Sequence, residues 1–306
     1  MRNEPPETVS WLEEGAAPLH VIGQRMLAQT RREPACSYRW CVRDVLRGTV
    51  HDHNPQATCP ASSTRKLFIL LAVLVLIERG EWAFEDAIRV DNAEAGGQTC
   101  GGLWLLDRPR TFSVAELLKL MMALSDNVAT FFLVRRLTLS RLNELSMSLG
   151  FKGTHHLSAV PTQVTDANHP LNAVNTTTAS DLVSALSILA NGSTTQGAPD
   201  QQVISRRSCE FALHCMRAQQ DTTAIRSWLD DASHVGDKQG IGHRNYNNAG
   251  YLMHGGRVRM IFSIIVDDLH LIEQPVPAFA YARDFIATFT RMLDDHCRKA
   301  HHREVH

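Results

Sequence analysis

The sequence predicts an α+β fold: an antiparallel sheet built from N- and C-terminal strands, flanked by helices, with an inserted all-α block between the two sets of strands. Three observations carry this. Ser37–Arg43 alternates around Tyr38, Trp40 and Val42, turns at Arg47-Gly48 and resumes at Thr49–His53, the pattern of an early hairpin. Near the other end, Ala249–His254 and Arg257–Val266 flank Gly255-Gly256, a pair suited to the primed turns that close hairpins. Between the two, apolar residues recur at helical spacing and not in alternation.

The elements follow in order. Val21, Ile22, Met26 and Leu27 place a first helix over residues 19–30. After the early hairpin, Ser62–Arg79 reads as a helix that Gly80 closes. Its apolar run, Leu67 to Ile77, is eleven residues long, too short to cross a bilayer and therefore a buried helix. Ser113 with Glu116 forms a capping box that opens a helix through Leu124. Further helices are expected at about Val128–Leu137 and Ser140–Leu149, the latter stopped by Gly150. Residues 151–175 show no period and are rich in His, Pro, Thr and Asn, so they form one long loop, a length usually reserved for function. Helices resume at Thr178–Ala190 and about Ser205–Ala218. A strand at Val235–Gly240 precedes the late hairpin, and Pro277–Leu293 closes the chain as an amphipathic helix. The expected organisation is an N-terminal extension and first helix over residues 1–35, then a single domain over 36–306. Its α/β part takes about 19–60 and 205–295, and its all-α part about 61–204.

Composition narrows the function. The 306 residues are 44% apolar and 21% charged, which is globular and leaves no room for a disordered or fibrous class. A formal net charge of -1 supplies no field for nucleic acid, and no segment is long and apolar enough for a membrane span. Met1 to Gly15 is acidic and contains proline, unlike a secretory signal, so a cytoplasmic protein is expected, with export the alternative for a trimmed leader. Seven cysteines without CxxC spacing read as free thiols. Of the fifteen histidines, His51/His53 and His155/His156 lie in polar, loop-like stretches and His301, His302 and His306 in the final tail, and neither a metal nor a cofactor is expected.

Three short motifs remain. Ser63-Thr64-Arg65-Lys66 sets a hydroxyl in the first turn of the buried helix, near its free N–H groups, with an ammonium three residues on along the same face. Burial depresses an ammonium pKa and makes such a lysine a proton acceptor; a capping serine with a snorkelling lysine has the same spelling. Ser125-Asp126-Asn127 interrupts an apolar stretch between two helices, where Asp or Asn also suits a simple helix cap. Lys238-Gln239-Gly240 sits on the strand before the late hairpin, where a lysine is ordinarily just solvated.

Together, in this order, the three motifs resemble those of the penicillin-recognising serine enzymes, and the sequence is most similar to the class A β-lactamase-like branch. The resemblance runs from about Tyr38 to Leu293. It includes Lys66-Leu-Phe-Ile-Leu, Leu120-Met-Met-Ala-Leu-Ser-Asp-Asn-Val-Ala-Thr130, Leu149-Gly-Phe, Asn175-Thr-Thr-Thr-Ala-Ser-Asp-Leu182 and the Asp221…Ile225…Trp228-Leu229 pattern. It implies a serine hydrolase with Ser63 as the acylated nucleophile, Lys66 as its proton shuttle and Ser125 as the relay to the leaving nitrogen. Asn127 would hold the shuttle and the substrate amide, and Lys238 would face a substrate carboxylate. Main-chain N–H groups of Ser63 and of the strand after Lys238 would form the oxyanion hole. The implied partner is a small-molecule amide or ester, a β-lactam among them; oligomeric state is not legible.

Two departures stand out. Gln239 replaces the hydroxyl residue of the usual Lys-Thr-Gly or Lys-Ser-Gly, so a longer amide is expected to reshape the pocket. Class A enzymes also carry, in the long loop, a Glu-x-x-Leu-Asn run whose Glu activates the deacylating water. Between Gly150 and Asn175 the only acid is Asp166. Matching Leu171-Asn172 puts Asn168 at the Glu position, and counting back from Asn175 reaches Thr162. Asp166 is the one local substitute as a loop base, and deacylation is expected to be impaired. Non-lactam ester, amide or acyl-transfer chemistry, and a trap that acylates without turnover, are the alternatives. The two cysteines that class A enzymes place beside these helices are absent, with Leu70 and Leu118 at the nearest offsets.

Overall fold

The computed structural model describes residues 18–160, 166–192, 202–273 and 278–305. The chain opens with α1 (Leu19–Thr30), followed by β1 (Ser37–Asp44) and β2 (Thr49–His53). Near the other end come β7 (Val235–Ile241), β8 (Tyr246–His254), β9 (Arg257–Asp267) and α8 (Ala278–Val305). Five of these strands form one antiparallel sheet in the order β2-β1-β9-β8-β7, so strands from both ends share it, as expected. The seam is β1 against β9, with Ser37 opposite Asp267 and Asp44 opposite Met260. Gly255 and Gly256 turn β8 into β9 with φ of 59° and 72°, a conformation glycine adopts without strain.

Strand alternation divides the core. Trp40 and Val42 of β1, with Phe262, Ile264 and Val266 of β9, pack against Ile22 and Met26 of α1 and Phe285, Ile286 and Phe289 of α8. The opposite pleats, Cys41, Ile261 and Ile265 together with Tyr251, meet the inserted helices. These are α2 (Lys66–Glu78), α3 (Val114–Ala123), α4 (Asn127–Leu137), α5 (Leu139–Ser148), α6 (Ala179–Asn191) and α7 (Arg206–Arg217). From Lys66 to Leu76, every residue of α2 is buried, so α2 is the axle of the block. Ser113 caps α3 by the expected box: its Oγ accepts from Glu116 N at 3.2 Å while its own N donates to Glu116 Oε2 at 2.7 Å.

The structure adds short pairings that have no period to read: β3 (Cys59–Pro60) with β6 (Thr176–Thr177), and β4 (Ala87–Val90) with β5 (Arg110–Ser113). The closing helix also runs twelve residues past the expected Leu293, to Val305. Polar residues beyond Leu293 are buried by pairing, with Asp294 meeting His234 and His254 and His296 meeting Asp44. Pro277, its expected start, lies outside the described residues. No helix among the described residues is long and apolar enough to cross a membrane. All seven cysteines are free, and only Cys100 is exposed.

Candidate active site

The Ser63 turn is shaped from outside itself. A single helix from Ser62 was expected; instead Ser62–Arg65 is a 3-10 turn, and α2 begins only at Lys66. Ser62 has φ of 45° and needs holding. Its Oγ donates to Asn245 Oδ1 at 3.1 Å, and Nδ2 of Asn245 and of Asn247 donate to Pro60 O at 3.2 and 2.9 Å. Across the turn, Ala61 N donates to Asn175 O at 2.8 Å. Gly240 of β7 slides beneath: a Cβ there would lie 2.8 Å from Thr64 N and 3.0 Å from Ser63 N. The glycine of Lys238-x-Gly240 is therefore required by close approach, because any side chain would push the strand off the turn.

Lys66 is the hub. Only 1% exposed, its Nζ donates to Ser63 Oγ (3.2 Å), Ser125 Oγ (3.0 Å), Ser125 O (2.6 Å) and Asn127 Oδ1 (2.8 Å). Burial drives its pKa well below the ordinary lysine range, and the charge of Lys238 adds to the effect. Four candidate acceptors around one nitrogen exceed the donors of even an ammonium. Deprotonated, the amine has a lone pair free to take the Ser63 proton.

Ser125 stands at the break between α3 and α4 with φ of 53°. Asp126 fixes the break: Oδ1 accepts from Ala129 N at 2.8 Å, while Oδ2 accepts from Gly102 N and Leu103 N at 2.7 and 2.8 Å. The acid is thus a helix cap that also clamps a neighbouring loop onto the site. From that loop Cys100 O accepts from Asn127 N at 3.0 Å, and Gln98 Oε1 accepts from Asn127 Nδ2 at 3.1 Å. Asp126→Ala leaves these buried donors unpaired and is expected to lower stability by about 2–4 kcal/mol. A urea midpoint equal to that of the wild type would contradict this.

Lys238 is fully buried, and its Nζ donates to Gln239 O at 2.9 Å. Burial pushes its pKa down to about 8, against the pull of Asp237 and Asp221. A value of about 8 leaves Lys238 mostly charged at neutral pH. The Gln239 amide is already engaged: Nε2 donates to Asp221 Oδ2, and Oε1 accepts from Tyr246 OH at 2.9 Å. Neither Gln239 nor Lys238 is among the residues lining the cleft.

That cleft has a volume of about 280 Å³ and is lined by Ser63, His169, Asn175, Ile241, His243 and Asn245, among others. Asp166 is exposed and not part of the lining; its Oδ1 accepts from Asn168 N at 2.8 Å, a local turn. Asn168 is also exposed, with its Oδ1 3.0 Å from His270 Nε2. Thr162 lies outside the described residues. Among the described residues no carboxylate lines the cleft, and the loop presents His169 instead. Sequence reasoning overlooked His169, His243 and the Asn245/Asn247 pair. His169 directly follows the position where the motif calls for Glu, which was a usable signal, whereas the asparagines act on backbone far away in sequence.

A hydroxyl, a buried amine and a second hydroxyl in one hydrogen-bonded cluster, at the junction of an antiparallel sheet and an all-α block, define a serine hydrolase of the penicillin-recognising kind. The profile of the β-lactamase enzyme family matches residues 24–296, and the chain belongs to that family. Solved structures agree on the fold. A β-lactamase from Sphaerobacter thermophilus superposes with a TM-score of 0.72 at 21% identity, covering 89% of this chain and 95% of that one. An ancestral class A β-lactamase gives 0.73 at 20%, covering 90% and 99%. A mutant of PBP-A, solved as an acyl-enzyme complex with penicillin G, gives 0.70 at 19%, covering 92% and 97%. No curated protein sequence matches the chain.

Proposed function

We propose that this protein acylates Ser63 with a β-lactam or a related amide or ester and releases the acyl group slowly. The observation that carries the reading is the cluster around Lys66 Nζ, which holds Ser63 Oγ, Ser125 Oγ and Asn127 Oδ1 at 2.8–3.2 Å. In this reading Ser63 Oγ attacks the carbonyl carbon while its proton passes to Lys66 Nζ. The C–N or C–O bond breaks as Ser125 Oγ hands a proton to the leaving atom and recovers one from Lys66. Lys238 is the cation for a substrate carboxylate. The main-chain N–H groups of Ser63 and of the end of β7 steady the oxyanion.

Release of the acyl group needs a base for water, and a positioned one is worth roughly 10²–10⁴ in rate. With Asp166 and Asn168 both facing solvent, slow release follows. A mass-spectrometric time course with penicillin tests this: a persistent adduct and a burst of one product equivalent are expected, and Asp166→Asn leaves the slow phase unchanged. Rapid return to native mass without a burst overturns it, and the absence of any adduct favours non-lactam ester, amide or acyl-transfer chemistry. A second reading is favoured by His169 in the cleft wall, with its imidazole serving the water. His169→Ala then slows adduct breakdown at least tenfold while acylation is unchanged; equal breakdown rates exclude it.

A further inference from the structure

We propose that His234, His254 and Asp294 form a binding site for a divalent transition-metal ion of the zinc type, remote from the Ser63 cleft. The sequence gives no hint of it, because the three residues are separated by 20 and 40 positions and share no spacing motif. His234 ends a 3-10 turn leading into β7, His254 ends β8, and Asp294 sits inside α8. The fold brings one ligand atom from each to within 4.8 Å of the others. His234 Nε2 and His254 Nε2 stand 2.7 and 2.9 Å from the same atom, Asp294 Oδ1. The carboxylate is buried and the two imidazoles are mostly covered, with side-chain exposures of 3%, 15% and 10%.

The donor set decides the ion. Two imidazoles and one carboxylate suit zinc, cobalt or nickel, whereas magnesium and calcium prefer all-oxygen shells. Ligand distances of about 2.0–2.1 Å in a tetrahedron put donor atoms roughly 3.3 Å apart, so the two short pairs open by about half an ångström. A small rotation of the two imidazole rings supplies that much.

The surroundings carry the charge the ion needs. Both Nε2 atoms donate to Asp294 Oδ1, so the ion takes the place of those protons, and Asp231 Oδ2 lies 3.9 Å from His234 Nδ1, the ring's other nitrogen. Arg298 Nε lies 3.7 Å from Asp294 Oδ2. Its guanidinium is engaged elsewhere, on Asp230 Oδ2 at 2.9 Å and on Asp295 Oδ1. Four carboxylates, Asp230, Asp231, Asp294 and Asp295, outnumber the two guanidiniums, Arg298 and an Arg259 whose Nε lies 3.5 Å from His254 O. Three protein ligands leave a fourth position for water. His234 lies six residues before Gly240, roughly 20 Å at strand rise, so the ion clips α8 to the β7–β8 edge and stays out of the acyl chemistry.

The test uses the full chain without an affinity tag, with His301, His302 and His306 changed to alanine so that tail imidazoles do not bind. Zinc titration by calorimetry is expected to show one equivalent with a Kd on the order of a micromolar or tighter. At a hundredfold excess over Kd the melting temperature rises by roughly 4 °C. Cobalt(II) produces visible d–d absorption of a tetrahedral site. His254→Ala weakens zinc binding at least tenfold. His234→Gln, which keeps a hydrogen-bonding side chain and guards against misfolding, does the same, and Ser63 labelling rates stay unchanged in both. Absence of stoichiometric zinc binding, or binding unaffected by either substitution, overturns the proposal and leaves a purely hydrogen-bonded trio.

Discussion

Ser63→Ala abolishes covalent labelling by penicillins and by fluorophosphonates, read as the loss of any mass adduct. Three serine hydroxyls crowd this region, and geometry separates them. The Ser62 hydroxyl donates to Asn245 and is held by it. Ser125 Oγ shares Lys66 but does not line the cleft. Ser63 alone meets both conditions, an Oγ 3.2 Å from a depressed-pKa amine and a place in the cleft wall. Loss of the nucleophile in serine hydrolases costs on the order of 10⁶ in rate, so no residual labelling is measurable on a laboratory time scale. Adducts that survive, or that map to Ser62 or Ser125, would sink the assignment.

Lys66→Ala slows acylation by at least 10²–10⁴-fold, the range for a lost proton-transfer group. A near-normal rate would mean that another base serves Ser63. The wild type should also show the signature of two lysines with opposite tasks. A base must be unprotonated to act, and Lys66 is depressed well below the ordinary lysine range, so kcat/KM rises with pH as Lys66 loses its proton. Lys238 must be charged to hold a carboxylate, and its pKa is about 8, so the same parameter falls as pH climbs through that value. The falling limb belongs to carboxylate-bearing substrates only. An ester lacking the carboxylate keeps the rise and loses the fall; identical profiles for both would remove Lys238 from that role.

Much of this was legible because it is written locally. Period-two alternation around Trp40 and a Gly-Gly turn announce the sheet, and a helix whose every face is apolar announces the axle. The three motifs are legible for the same reason, since each is a short run on one element. Illegible features depend on contacts across the chain. A two-residue strand such as Cys59–Pro60 has no period. The 3-10 start at Ser62 is imposed by Asn245 and Asn247, residues with nothing unusual in their neighbourhood. Gln239 was expected to reshape the pocket with its longer amide, yet Asp221 and Tyr246, from outside its strand, engage that amide. The reach of α8 to Val305 was missed because its polar residues look solvated until their partners are known.

The link from Ser62 to Asn245 spans 183 positions, and that from Asn247 to Pro60 spans 187. On the ribosome the chain emerges from its N-terminal end at roughly 5–20 residues per second, and local helices form long before distant strands can pair. A nascent chain stopped short of residue 235 already contains Ser63, Lys66, Ser125 and Asn127, yet nothing lies beneath the nucleophile's turn. On the role proposed for Ser63, reactivity is therefore expected late and all at once, when β7 and β8 dock. An acyl-forming probe added during synthesis would report completion of the sheet, and the unfinished helical block, exposed to the same probe, would stay unlabelled.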